Sequence, residues 1–147
     1  MPKDPFTLDV QKFIDSFEGG AEKTMRAVTI KTWSAIIQSS PVDTGRFRGN
    51  WFATGQKPSN KTTNKTDKSG DSATARATTI VGTLKDWSTF TLSNNLPYAS
   101  HLEFGLYNNG PATTGGYSNQ APQGMVRVNI ARINNLLEKE AKKRLPK

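Results

Sequence analysis

The chain has 147 residues, no cysteine, one histidine and a formal net charge of +8 at pH 7. The lack of cysteine excludes disulfide scaffolds, thiolate zinc sites and thiol catalysis, and no apolar run approaches the ~20 residues that a membrane-spanning helix needs. Hydrophobic residues make up 34% of the chain, well below the usual average of about 45–50%. We therefore expect a single domain over residues 1–147, in which long polar segments pack little or are ordered by a partner.

The excess positive charge is concentrated at the C-terminal end. Residues 126–147 contain seven basic and two acidic side chains. A basic end of this kind is typical of proteins that contact a polyanion or an acidic protein surface. The alternative is a solvated helix whose terminal lysines complement the helix dipole. No aromatic residue lies among these charges to stack on bases, which favours the solvated helix.

The N-terminal part of the chain is predicted to be helical. Apolar residues recur at the i, i+3, i+4, i+7 spacing of one helix face in Val10, Phe13, Ile14 and Phe17. Gly19 and Gly20 interrupt the pattern, so residues 1–19 are expected to form an N-terminal arm or short helix, followed by a second helix or a kinked continuation. Periodicity resumes over residues 21–37, and the helix should end just before Pro41, which disfavours helical geometry in the preceding residue.

The middle of the chain is predicted to contain short strands separated by polar loops. Residues 41–46 combine proline, aspartate and glycine in a turn. Residues 50–54 and 90–94 predict strands, and residues 79–81 predict a weaker one. Residues 57–78 contain no large apolar side chain, and they predict a long loop or hairpin that leaves the core toward another subunit.

The remaining segments complete an α+β pattern. Residues 96–104 predict a short helix, and residues 108–118 predict a second polar loop. A C-terminal helix is predicted from one apolar face, formed by Val126, Ile130, Ile133 and Leu137. With helices at both ends and strands between them, we expect an α+β fold: a small antiparallel sheet packed against a long N-terminal helix and a C-terminal helix, with long polar loops.

No group of residues forms a convincing active site in the sequence. Asp43 and Glu103 are the one carboxylate pair worth considering for glycoside hydrolysis, but nothing in the sequence brings them together. Asp43 is expected to act as a turn residue, and Glu103 as an ion-pair partner of Arg46 or Arg48. His101 has no G-x-S-x-G elbow to supply a triad serine, and glycine-rich phosphate loops and calcium loops are missing. We therefore expect no catalytic, cofactor-binding or metal site.

Three compact strings stand out, in one order along the chain. They are residues 40–51 (SPVDTGRFRGNW), residues 94–105 (NNLPYASHLEFG) and residues 118–126 (SNQAPQGMV). Together they resemble a family of tailed-phage neck proteins, commonly labelled tail-component or tail-completion proteins. Its members tend to show an S-P-V-D-T-G-x-x-R/L-x-x-W turn, a Y-A-x-x-L-E-x-G segment and a Q-A-P-x-G-M stretch before a terminal helix. The resemblance covers most of the chain from about residue 20 onward.

The resemblance implies a structural protein of the head–tail junction or the upper end of the tail. Such proteins are ring-forming subunits that complete the tail and help to join it to the DNA-filled head; they are not enzymes and need no cofactor. The implied partners are further copies in a ring (a hexamer, from tail symmetry), neighbouring neck, tail-terminator or tail-tube proteins, and passing DNA, but no membrane. The opening MPKDP lacks the apolar segment of a secretory signal peptide, so we expect assembly in the host cytoplasm and a final location in the virion.

The motif residues are expected to shape the subunit. The large aromatic side chains of Trp51, Tyr98 and Phe104 are expected in the core, together with Leu84 and Trp87. The structural motif implied by the resemblance comprises Pro41, Asp43, Thr44, Gly45, Arg46, Trp51, Tyr98, Glu103, Gly105, Pro122, Gly124 and Met125. The side chains expected to face a partner are Arg48, Arg132, Lys139, Lys142, Lys143 and Arg144.

Two functions of other classes remain as alternatives. A nonspecific nucleic-acid-binding module would use the basic C-terminal helix and the lysine-bearing loop, and its affinity would fall steeply with salt. Ring assembly through mixed apolar and polar faces would show no such dependence. A cell-wall hydrolase is the third hypothesis, and the lack of a convincing catalytic group disfavours it.

Overall fold

The computed structural model describes residues 5–85 and 89–144; in the first helix it describes the side chains of residue 12, residues 15–16 and residue 18 onward. The elements in these ranges are, in chain order, α1 Pro5–Ser39, α2 Arg46–Gly49, β1 Trp51–Thr54, α3 Asp71–Thr83, β2 Thr91–Asn94, α4 Ala99–Phe104, β3 Thr113–Thr114, β4 Tyr117–Ser118, α5 Val126–Ile130 and α6 Ile133–Arg144. The predicted α+β fold, with a long N-terminal helix, a C-terminal helix and a small antiparallel sheet, is confirmed. Trp87 lies outside the described residues.

The main sheet is the antiparallel pair β1–β2, in which Trp51 lies opposite Asn94. The strands predicted at residues 50–54 and 90–94 are therefore confirmed. A second antiparallel pair, β3–β4, forms inside the segment predicted as a polar loop, residues 108–118. Because a two-stranded pair is marginal on its own, β1 depends on the helix α3 that packs against it.

Helix α1 is one continuous helix of 35 residues. The prediction of an arm or short helix over residues 1–19 is wrong from Pro5 onward, and the predicted end near residue 39 is confirmed. Two internal glycines cost about 1 kcal/mol each, but the C-terminal end of α6 lies beside Gly19 and Gly20, and Gly20 is buried. Packing thus holds the helix together where propensity is low. The side chains of the apolar face predicted before Gly19 lie outside the described ones.

The core lies where α1, α3, the sheet and the segment before α5 meet. Its buried apolar side chains are Trp33, Ile36, Ile37, Phe47, Trp51, Ala73, Ala77, Val81, Leu96, Leu102, Ala121 and Met125. Leu84 is also buried, as predicted. Each fully buried large apolar side chain contributes about 1.5–3 kcal/mol. Phe47, Trp51, Leu102 and Met125 belong to the three motif strings, so those strings supply part of the core.

Helix α3 corrects two predictions. The structure places residues 71–78, which were predicted as part of a loop, in this helix. It also places residues 79–81, which were predicted as a strand, near the end of the same helix. The helix buries Ala73, Ala77 and Val81, which are spaced four residues apart on one face. Alanine is the strongest helix former, but its small side chain gives little apolar contrast in a polar segment. The periodicity was therefore hidden by the size of the residues.

Both ends of α3 are held by side chains from elsewhere in the chain. At the start, the carboxylate of Asp67 accepts hydrogen bonds from the backbone N–H groups of Gly70 (3.1 Å) and Ala73 (2.8 Å). At the end, the guanidinium group of Arg26 in α1 donates to the carbonyl oxygens of Val81 (2.6 Å) and Leu84 (3.0 Å). A cation at this end also complements the helix dipole.

The polar segment before α3, residues 57–70, lies against the fold; we call it the lysine loop. The side-chain amide of Asn50 donates to the carbonyl oxygen of Thr63 and accepts from its N–H, both at 2.9 Å. The side chain of Asn95 donates to the carbonyl oxygen of Lys61 at 3.0 Å. The expectation that this segment leaves the core is wrong, because the side chains of Asn50, which is buried, and of Asn95 bind its backbone.

Asn50→Ala is expected to release the lysine loop. The change leaves both backbone groups of Thr63 without these partners, which costs about 1–3 kcal/mol. Limited digestion with trypsin, which cleaves after lysine, should therefore cut the loop of this variant much earlier than that of the parent chain. Asn64→Ala, an exposed position in the same loop, is the control and should leave the cleavage rate unchanged. Equal cleavage of the Asn50 variant and the parent would contradict the described anchoring.

The C-terminal region forms two helices, α5 and α6, where the sequence predicted one. The predicted inward apolar face is wrong at Ile130 and Leu137, which are 48% and 37% exposed. The buried side chains are polar instead, namely Asn129 and Glu140. The side chain of Asn129 donates to the hydroxyl oxygen of Ser39 in α1 at 3.2 Å and to the carbonyl oxygen of Met125, just before α5, at 2.6 Å. The region is thus positioned by polar contacts and not by an apolar stripe.

Glu140 anchors α6 to α1. Its side chain is fully buried, and its carboxylate accepts hydrogen bonds from Lys31 of α1 and from Arg144 one turn further along α6. Lys143 lies 3.5 Å from the same carboxylate. The hydrogen bonds from Lys31 and Arg144 lower the pKa of Glu140 from 4.5 to about 2.

The low pKa of Glu140 predicts a specific acid sensitivity. Because this pKa is lower in the folded state, the ionised carboxylate stabilises the fold above about pH 4.5, and that contribution is lost as the pH falls toward 2. Glu140→Gln is expected to lower the Tm at neutral pH and to weaken the decline of Tm between these two pH values. Glu138→Gln, an exposed neighbour, is the control. A Glu140 variant with the parent's Tm at neutral pH would contradict the anchor.

Candidate functional site: the junction of the three motifs

The three strings that carry the family resemblance lie against one another in the structure. Residues 40–51, 94–105 and 118–126 are joined by an aromatic cluster, by paired amide hydrogen bonds and by a buried carboxylate. We call this region the motif junction. It brings together most of the residues that the resemblance singled out.

The first string forms the turn that leads from α1 into β1. The hydroxyl group of Ser40, which is buried, accepts a hydrogen bond of 2.8 Å from the indole N–H of Trp51. Gly45 has a φ of +91°, and a Cβ atom at this position would lie 2.7 Å from the backbone nitrogen of Lys68. The conformation and the close approach both require glycine. The sequence-based assignment of Gly45 to the turn is therefore confirmed.

An aromatic cluster joins the first string to the second. The ring of Phe47 lies 5.9 Å from that of Trp51 and 5.7 Å from that of Tyr98. The side chain of Asn94 donates to the carbonyl oxygen of Phe47 at 2.9 Å. Trp51 is buried and Tyr98 is partly buried against the core, as expected. Phe104 is 52% exposed, so its predicted place in the core is wrong.

A paired hydrogen bond joins the first string to the third. The side-chain amide of Gln120 accepts from the backbone N–H of Val42 at 2.8 Å and donates to its carbonyl oxygen at 2.9 Å. This pairing gives the glutamine of the Q-A-P stretch a structural role. The turn and the third string are therefore held in one register.

Glu103 joins the second string to the third. Its carboxylate accepts hydrogen bonds from the backbone N–H groups of Met125 (2.8 Å), Val126 (2.8 Å) and Arg127 (2.9 Å), and from the side chain of Arg127 (3.1 Å). Burial alone would raise the pKa of Glu103, but these hydrogen bonds outweigh burial and hold the pKa below its usual value of 4.5. The carboxylate is thus ionised and used to fix the start of α5.

The structure also explains why the residue before Met125 is a glycine. Gly124 has a φ of +79°, and a Cβ atom there would lie 2.7 Å from the carbonyl oxygen of Glu103. Met125, the next residue, is buried in the core. Gly105 ends α4 and lies against the ring of Tyr117. The glycines of the second and third strings therefore permit close packing between them.

The expected ion pair between Glu103 and the arginines of the first string is wrong. Arg46 donates to the carbonyl oxygen of Thr63 in the lysine loop at 3.4 Å. Arg48 donates to the carbonyl oxygen of Ser40 at 2.7 Å, and to two further carbonyl oxygens. Both arginines therefore bind backbone oxygens around the turn.

A cleft of about 500 Å³ lies beside the motif junction, lined by residues 41–47, by Tyr98 and Tyr107, and by neighbouring side chains. Asp43 and Thr44 are among its exposed lining residues. The ring of His101 lies 5.3 Å from that of Tyr107. The carboxylate of Glu103 is bound by the start of α5 and by Arg127, so it is not available to pair with Asp43 as considered from the sequence.

The remaining cations that were expected to face a partner divide into two groups. Within α6, Lys142 forms an ion pair with Glu138, and Lys143 and Arg144 form ion pairs with Glu140. Arg132 and Lys139 are exposed. Pro122, of the structural motif, is also exposed. Glu138 and Glu140 therefore offset part of the positive charge of α6.

Several residues of the junction were not identified from the sequence. Arg127 binds Glu103 and also covers the ring of Phe104, with its guanidinium carbon 4.7 Å from the ring centroid. Gln120 and Asn50 act through hydrogen bonds to backbone groups far away in sequence. The sequence offered one signal: Gln120 and Asn50 both fall inside the motif strings.

Comparison of the chain with protein-family models, with curated proteins and with solved structures finds no match. Among residues 5–85 and 89–144, no helix is long and apolar enough to cross a membrane. Nor does this part of the chain place three or more His, Cys, Asp or Glu side chains together so as to hold a metal ion. The motif junction is therefore the main guide to function.

Proposed function

We propose that this chain is a ring-forming structural protein of the head–tail junction of a tailed bacteriophage. The observation that carries the proposal is the motif junction, in which the three strings that resemble the tail-completion family bind one another. In this role the chain completes the tail, helps to join it to the DNA-filled head and carries out no reaction. Its final location is the neck or upper tail of the virion.

The contacts at the junction explain why particular residue types stand at the motif positions. Gly45 and Gly124 occupy left-handed backbone conformations next to other backbone atoms. Trp51 binds the buried hydroxyl of Ser40 within the first string, and Glu103 of the second string binds the backbone N–H of Met125 in the third. The junction therefore supports the resemblance as a property of one structural unit.

Exposed apolar side chains provide surface that association with further copies would cover. Phe104, Leu106 and Ile130 are 52%, 57% and 48% exposed. Scattered apolar residues are common on protein surfaces, so these residues support association only together with the motif junction. A ring subunit buries such residues against its neighbours.

The basic C-terminal helix gives little support to the alternative of a nucleic-acid-binding module. Lys142, Lys143 and Arg144 lie beside carboxylates of the same helix. Paired cations release fewer counterions when they meet a polyanion. This helix is therefore better suited to anchoring α1 than to binding DNA.

The oligomeric state of the purified full chain tests the proposal. Native mass spectrometry and negative-stain electron microscopy should show closed rings with a central opening, either for the chain alone or after mixing with tails from the same phage. Six copies are expected from the symmetry implied by the resemblance. A chain that stays monomeric under both conditions, and that does not attach to tails, would overturn the proposal.

A further inference from the structure

The lysine loop presents a row of unpaired positive charges. Its four lysines, Lys57, Lys61, Lys65 and Lys68, are all exposed. Among residues 5–85 and 89–144, no carboxylate forms an ion pair with any of them. The loop therefore differs from α6, in which Lys142 and Lys143 lie beside carboxylates of the same helix.

The one acidic residue of the loop does not offset this charge at the surface. Both carboxylate oxygens of Asp67 accept hydrogen bonds from backbone N–H groups at the start of α3, those of Gly70 and Ala73. Asp71, the first residue of α3, is the next acid along the chain and is exposed. The surface of the loop therefore carries the ammonium groups of its lysines, with hydroxyl and amide side chains between them.

The backbone beneath these lysines is fixed by side chains of the fold. The carbonyl oxygen of Lys57 accepts a hydrogen bond of 2.6 Å from the hydroxyl of Thr54. That of Lys61 accepts from the side chain of Asn95, and that of Lys68 from the guanidinium group of Arg48 at 2.8 Å. Binding to a partner would not have to order this backbone first, which removes a common entropic cost of association.

Among nucleic acids, the chemistry of the loop favours the phosphate backbone of a duplex over single strands. Residues 57–70 contain no aromatic side chain, so they offer no platform on which single-stranded bases could stack. The nearby ring of Phe52 is covered by Arg76, whose guanidinium carbon lies 5.0 Å from the ring centroid. Lysines spaced along an ordered segment are suited to sequence-independent contact with phosphates.

We infer that the lysine loop is a contact surface for double-stranded DNA, bound through its phosphates without regard to sequence. The inference goes beyond the proposed function, because it assigns DNA contact to residues 57–70 and holds for the isolated chain. It also places that contact away from the C-terminal helix.

The test is the affinity of the full chain for a duplex of about 30 base pairs, measured by fluorescence anisotropy over a range of salt concentrations. The variant K57Q/K61Q/K65Q/K68Q should bind about tenfold or more weakly at low salt, and the slope of log affinity against log salt should fall by about 3–4. The control K12Q/K85Q/R132Q/K139Q removes the same charge from exposed positions elsewhere. It should keep the affinity within about twofold of the parent.

Several results would overturn the inference. They are no binding of the duplex by the parent chain at low salt, an equal loss in the loop variant and the control, and unchanged DNA affinity in a loop variant that loses binding to polyglutamate. The last result would assign the loop to an acidic protein surface.

If the quadruple variant does not fold, K57Q/K61Q and K65Q/K68Q should each lower the slope by about 2. Rings that do not bind DNA would refute this inference alone, whereas DNA binding by a chain that forms no rings would refute only the proposed function.

Discussion

Gly45→Val is expected to destabilise the protein by about 3 kcal/mol or more. The residue has a φ of +91°, which is strained for valine, and a Cβ atom would lie within 2.9 Å of the backbone of Asp67 and Lys68. These main-chain atoms belong to the lysine loop, just before α3. A valine side chain at this position would therefore have to displace the loop.

Chemical denaturation followed by circular dichroism measures this effect. Gly82→Ala is the matched control, because a Cβ atom there meets nothing within 4 Å and the residue lies in α3. The control should be neutral or stabilising by up to about 1 kcal/mol. If the Gly45→Val protein keeps the parent's stability but no longer assembles, the turn would instead be part of the interface between subunits.

Glu103→Gln is expected to lower the free energy of unfolding by about 2–4 kcal/mol. The carboxylate accepts from the backbone N–H groups of three successive residues, Met125, Val126 and Arg127. An amide keeps one acceptor oxygen but turns an NH₂ group toward these donors. The start of α5 then loses partners that no water can easily replace in a buried site.

The pH dependence of stability distinguishes this role from simple packing. Because the pKa of Glu103 is lowered in the fold, its ionised form stabilises the protein above its usual pKa of 4.5, and this contribution is lost as the pH falls below it. The glutamine variant should therefore lose less stability than the parent on acidification. Glu138→Gln, an exposed change, should follow the parent. A Glu103 variant as stable as the parent at neutral pH would refute the role of this carboxylate.

The sequence was sufficient to predict those elements whose structure is decided by a pattern of apolar residues or by a turn-forming residue. Pro41 marks the end of α1, and short runs of apolar residues with threonine mark β1 and β2. Helix α3 was missed because its buried face consists mainly of Ala73 and Ala77, whose small side chains resemble their polar surroundings. The apolar spacing at Ile130 predicted an inward face, but Asn129 and Glu140 took the buried positions.

The candidate site shows a similar division. The three strings located the motif junction, since their glycines and Trp51 are needed by the local backbone or core. The partners across the junction could not be predicted, because hydrogen bonds such as that of Gln120 to Val42 or of Asn50 to Thr63 join positions far apart and leave no periodic signal. The lysine loop is bound to the core by hydrogen bonds of this kind. The sequence therefore predicted, wrongly, that the loop leaves the core.

Interrupting the gene for this chain in the genome that encodes it, followed by electron microscopy of the lysate, tests its role as a head–tail joining protein most directly. The role predicts DNA-filled heads and separate tails in the same lysate, and supplying the parent chain or its Gly82→Ala control in trans should restore joined particles. Normal joined particles in the absence of the chain, or the loss of filled heads themselves, would contradict it.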